Sequence, residues 1–102
     1  VPKLETFTLE GLTLKFNSYD HLPEHIHVLQ PGGKWEIRVY FMSCNEGFLD
    51  FEYKKPPDPP AGFDGISKSE RKQLLEKILQ FRLELLAEWE KKVDVSEKYA
   101  NS

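Results

Sequence analysis

One long apolar stripe near the C-terminus restricts this chain more than any other feature. Ser67 and Glu70 stand at the spacing of a capping box, which predicts a helix from there to about Val93. At 100° per residue, Leu74, Leu75, Ile78, Leu79, Phe81, Leu85, Leu86, Trp89 and Val93 fall on one side. Glu76, Lys77, Glu84, Glu88 and Lys91 fall elsewhere. A helix with one apolar side must lie on something, and the mixed signs of its polar residues argue against an anionic membrane surface.

The partner for that stripe is a sheet. Leu12, Leu14 and Phe16 alternate with Thr13, Lys15 and Asn17, as in a strand with one buried face, and Thr6 to Leu9 is a candidate partner strand. Asn17 to Pro23 is rich in turn formers and reads as a loop. From His25 to Phe41 the chain reads as a hairpin turning at Gly32 and Gly33. With that turn, Gln30 faces Trp35, Val28 faces Ile37 and Ile26 faces Val39 across the ladder. The apolar residues share one face by parity. The other face collects His25, His27, Glu36, Arg38 and Tyr40, and is expected to be a polar surface.

Asn45 to Gly47 marks another turn, and Leu49, Phe51 and Tyr53 a further strand. Lys54 to Pro60 carries four prolines and serves as a stiff connector to the helix. The expected fold is α+β: a three- to four-stranded antiparallel β-meander packed against one long C-terminal α-helix. Residues 1–93 form a single domain in this reading, and residues 94–102 a frayed C-terminal tail.

The balance of charge narrows the partners. A net charge of -3 offers no general positive field for nucleic acid, which is disfavoured as a partner. Cys44 is the only cysteine, so an internal disulfide is excluded and a reducing compartment is expected. With no apolar run long enough to span a bilayer and no signal-peptide pattern, the expectation is a cytoplasmic protein without a membrane role.

All three histidines, His21, His25 and His27, lie within seven positions. On a strand, residues two apart point the same way, so His25 and His27 can chelate one divalent metal ion, with His21 added from the loop. Asp20 and Glu24 are the nearest carboxylates. Cross-strand polar pairing of His25 with Tyr40 and of His27 with Arg38 explains the same residues without a ligand. Arg82 falls near the middle of the apolar stripe, close to the line of Arg71, and needs a partner: Asp50, Glu52, a backbone carbonyl, or an anion. No phosphate-binding glycine loop, nucleophile elbow, paired-cysteine zinc pattern or zinc-protease helix motif is present.

Three stretches, Leu12 to Ser18, Leu22 to Val28 and Gln80 to Trp89, together resemble the small bacterial proteins of the domain of unknown function 4160 family. That family shows an apolar strand, a Pro-Pro-His-x-His-Val element, a hairpin and a closing helix ending in Leu-Leu-x-x-Trp. On this resemblance His25, His27, Arg82 and Trp89 occupy its recurrent positions. The chain departs from the pattern with Glu24 in place of the second proline and with an enlarged region from Cys44 to Gly65. The resemblance implies membership of a toxin-antitoxin-like pair and therefore a small protein partner.

Two functional classes follow. In the first, which the missing catalytic motifs favour, the chain is a protein-interaction or regulatory module. It needs no cofactor, and His25, His27, Arg38 and Tyr40 form the docking face, open also to a second copy as a homodimer. In the second, it is a small enzyme or metal-dependent toxin. His25 and His27 then serve as ligands or proton-transfer groups, with Arg82 or Arg38 steering an anion.

Overall fold

A computed structural model describes residues 3–95 and has the expected α+β architecture. Four strands, β1 (Thr13–Lys15), β3 (Ile26–Leu29), β4 (Glu36–Val39) and β5 (Phe51–Lys55), form one antiparallel sheet in the order β1-β3-β4-β5. A second, two-stranded sheet pairs β2 (Tyr19–Asp20) in parallel with β6 (Asp94–Val95). Helix α1 (Lys68–Lys92) closes the fold. No helix among the described residues is long and apolar enough to cross a membrane.

The hairpin has the register that parity requires. Ile26 pairs with Val39 and Val28 with Ile37, while the Gln30 N–H donates to the Trp35 carbonyl at 3.1 Å. Gly33 sits at φ 75° in the turn, a conformation that costs glycine nothing and side-chain-bearing residues a good deal. Ile26, Val28, Trp35, Ile37 and Val39 are all buried, with Leu14 and Phe16 beside them.

Helix α1 begins on the expected capping box. Ser67 accepts from the Glu70 amide at 3.1 Å and the Glu70 carboxylate accepts from the Ser67 amide at 2.9 Å. Leu74, Ile78, Leu85, Trp89 and Val93 enter the core, with Leu75, Phe81 and Leu86 half-buried at its margin. At Phe81 the backbone leaves helical geometry (φ -116°, ψ 22°), and its ring stacks on Phe7 at 6.2 Å.

Several expectations need correction. Leu79 is on the outside of the helix, whereas Glu88, expected on the polar side, is buried. Its carboxylate accepts from the Glu5 and Thr6 amides at 2.8 and 2.9 Å, so the N-terminal segment is held by a side chain and Thr6 to Leu9 forms no strand. The loop from Asn17 to Pro23 contains β2. Asp94 and Val95, expected to fray, form the ladder with β2; residues 96–102 of the expected tail lie outside the described residues.

Candidate metal centre

The hairpin parity brings His25 and His27 out together, with ring centroids 4.9 Å apart. They do not form a solvent-facing surface: His25 is 0 % exposed and His27 1 %. The face opposite the aliphatic core is closed by residues 17–23, which fold back over the start of β3. From that loop come Asn17, Asp20 and the Pro23 carbonyl, all in contact with the imidazoles. Trp89 of α1 and Tyr40 complete the walls around His25, at 5.6 and 5.4 Å between ring centroids.

Each imidazole is oriented through Nδ1. His25 Nδ1 lies 2.8 Å from the Pro23 carbonyl, which can only accept, so this nitrogen carries the proton. His27 Nδ1 lies 3.0 Å from Glu36 Oε2 on the neighbouring strand. Burial alone would raise the Glu36 carboxyl, but the hydrogen bond and charge of Lys54, 3.2 Å away, together with His27, hold it below the ordinary value. Glu36 is therefore an ionised acceptor near neutrality, and His27 donates to it.

Both Nε2 atoms point at one oxygen. Asp20 Oδ2 lies 3.0 Å from His25 Nε2 and 2.8 Å from His27 Nε2, and the Asp20 side chain is only 8 % exposed. Burial would raise the Asp20 carboxyl. His27, His25 and the His21 amide outweigh it and keep the group below the usual carboxylate range. For His25 the balance runs the other way: burial, opposed by the Pro23 carbonyl and Asp20, pushes the imidazole below its ordinary value and favours the neutral ring. A neutral ring with its proton on Nδ1 presents a bare lone pair on Nε2. That atom is buried and makes no hydrogen bond. Lone pair and carboxylate oxygen thus face each other at contact distance, an arrangement that a cation between them relieves.

Among the described residues, Asp20, His25 and His27 form a group whose donor atoms all lie within 4.8 Å of one another. The edges of a tetrahedron around an ion with bonds of about 2.0–2.1 Å measure roughly 3.3 Å, so small movements suffice to seat one. The Nδ1 partners supply the carbonyl and carboxylate acceptors that commonly fix metal-ligating histidines.

The remaining site expectations sort by position. His21 is not a member of the group: its Nδ1 lies 3.0 Å from the Leu22 carbonyl, and its ring packs 5.5 Å from His25. Asp20 takes the third place instead, because β2 turns its carboxylate inward. Arg38 lies opposite His27 in register but turns to Glu52 at 3.4 Å, and the Tyr40 hydroxyl donates to the same Glu52. Arg82 donates to the Cys44 carbonyl at 2.5 Å, away from the histidines. Arg71 reaches the Ile66 carbonyl and lies over the Phe51 ring. Glu36 lies on the histidine face, as strand parity requires, and its role as the acceptor for His27 depends on the cross-strand geometry. Nothing in the local pattern of Asn17 marks it as a partner of His27.

Compared with known protein families, curated proteins and solved structures, the chain matches none.

Proposed function

We propose, from the chain's own chemistry, that this protein is a small metal-responsive module that holds one first-row divalent transition ion between Asp20, His25 and His27. The observation that carries this reading is the buried, unpartnered Nε2 of His25 facing a carboxylate oxygen at 3.0 Å. Protonating His27 would satisfy that ring's own contact with Asp20 and leave the His25 contact unresolved. One ion accepts all three donors at once. Two imidazoles and one carboxylate suit zinc, iron, cobalt or nickel better than magnesium or calcium, which prefer all-oxygen sets.

The burial of the three side chains favours a structural or regulatory ion over a catalytic one, since a hydrolytic or redox centre needs a face open to its substrate. The ion would bind the 17–23 loop to the central hairpin and so couple occupancy to the order of that loop.

Isothermal titration of the metal-free protein with Zn²⁺ and Co²⁺ tests the proposal. One ion per chain is expected, with affinity falling at least roughly tenfold in Asp20→Asn and in His25→Ala. Asp20→Asn keeps the size of the side chain and guards against a variant that simply fails to fold. Absence of saturable binding of Zn²⁺, Co²⁺ or Ni²⁺ to the folded parent overturns the reading.

A further inference from the structure

We infer that Asn17 supplies the fourth ligand of this centre through its side-chain Oδ1, closing a set of two nitrogens and two oxygens from Asn17, Asp20, His25 and His27. The inference rests on the metal reading above. Asn17 Nδ2 lies 3.0 Å from His27 Nε2, the atom that also faces Asp20 Oδ2 at 2.8 Å. An imidazole nitrogen has one in-plane valence to offer. When an ion is bound, His27 Nε2 gives it the one lone pair it has, with Nδ1 turned to Glu36, and cannot also accept from the Asn17 amide.

An ion on that lone pair leaves the Asn17 amino group aimed at a positive charge. A half-turn of the carboxamide exchanges nitrogen for oxygen at nearly the same position, because the two atoms are almost equal in size and reach. The repulsive donor then becomes a neutral oxygen at the same place, 3.0 Å from His27 Nε2. Closed, four-coordinate sets made wholly of protein atoms are the mark of structural zinc. A fourth protein ligand therefore agrees with a centre whose imidazoles are 0 % and 1 % exposed.

All four ligands lie between residues 17 and 27, in the order Asn-x2-Asp-x4-His-x-His. A loop folding back on the strand that follows it supplies the whole chelate. Neither the helix nor the C-terminal strand contributes a ligand.

Cobalt substitution in the full chain tests the assignment, with affinity and the visible spectrum of bound Co²⁺ as readouts. The parent should give the intense bands of four-coordinate Co²⁺ and leave them unchanged on addition of azide. Asn17→Ala should bind Co²⁺ about tenfold more weakly and shift its spectrum with azide, because a position is then open. Asn17→Asp, which presents oxygen in either orientation, should bind more tightly than the parent.

Equal affinity and spectra in the parent and Asn17→Ala overturn the assignment. So does an azide response in the parent, or Asn17→Asp binding no more tightly than the parent. A folded parent that binds neither Co²⁺ nor Zn²⁺ overturns the metal reading itself, and the assignment with it.

Discussion

The Glu88 carboxylate, one turn from the end of α1, accepts the backbone N–H of Thr6 at 2.9 Å and ties the first described residues to the last turn of the helix. The same carboxylate takes the Thr6 hydroxyl and the Glu5 amide and pairs with Lys92 at 2.7 Å. A negative charge near a helix C-terminus opposes the helix dipole, and Lys92, four residues on, offsets it.

Replacing Glu88 by Gln should therefore destabilise the fold by about 1–3 kcal/mol, measured by urea unfolding at pH 7. Burial alone would raise the Glu88 carboxyl. Lys92, the Thr6 hydroxyl and the two amides outweigh it and hold the group below its ordinary value of 4.5. A carboxyl depressed by folding contributes stability that is fully present above its unfolded value and is lost as pH falls through the folded one. The gap between parent and Glu88→Gln should thus be constant above about pH 5 and shrink progressively as the pH falls below 4.5. A gap that widens on acidification contradicts this account.

Tyr40 gives a second, optical readout. Burial, and then its hydrogen bond to the Glu52 carboxylate, push the Tyr40 hydroxyl up from 10.0 to about 12, against a smaller opposing effect of Arg38. Spectrophotometric titration of the tyrosines should show a late component from Tyr40. Tyr40→Phe should remove it, and Glu52→Gln should move it back toward 10, since the negative acceptor is gone. A late component that survives Tyr40→Phe belongs to another ring and refutes the assignment.

Strand β2, which carries Asp20 of the proposed metal centre, pairs with the end of the described chain. Tyr19 pairs with Asp94 and Asp20 with Val95, and the Asp94 N–H donates to the Ser18 carbonyl at 2.8 Å. An ion that holds Asp20 holds this ladder as well. Hydrogen exchange at the Asp94 amide should therefore slow on metal addition, with an upper limit of about a hundredfold when free ion is a hundred times Kd. Asp20→Asn should lose most of that protection. An unchanged exchange rate in the saturated parent would show that the ladder closes independently of the ion.

Local pattern determined a large part of this molecule. The capping box at Ser67 and Glu70, the stripe from Leu74 to Val93 and the pairing of Val28 with Ile37 follow from periods of 3.6 and 2, which depend only on backbone geometry. The same parity put His25, His27, Glu36 and Tyr40 on one side of the hairpin. It carried no information about what covers that side, because strand alternation distinguishes two faces without saying which one meets water. The tertiary fold decided this by returning residues 17–23 across the imidazoles, so that a polar surface became a sealed centre. It also chose Asp20 over His21, sent Arg38 and Arg82 to other partners, and buried Glu88. Each of these outcomes depends on the direction of a loop or a chain end relative to distant elements, and such directions are set by long-range packing, not by the spacing of residues along the chain.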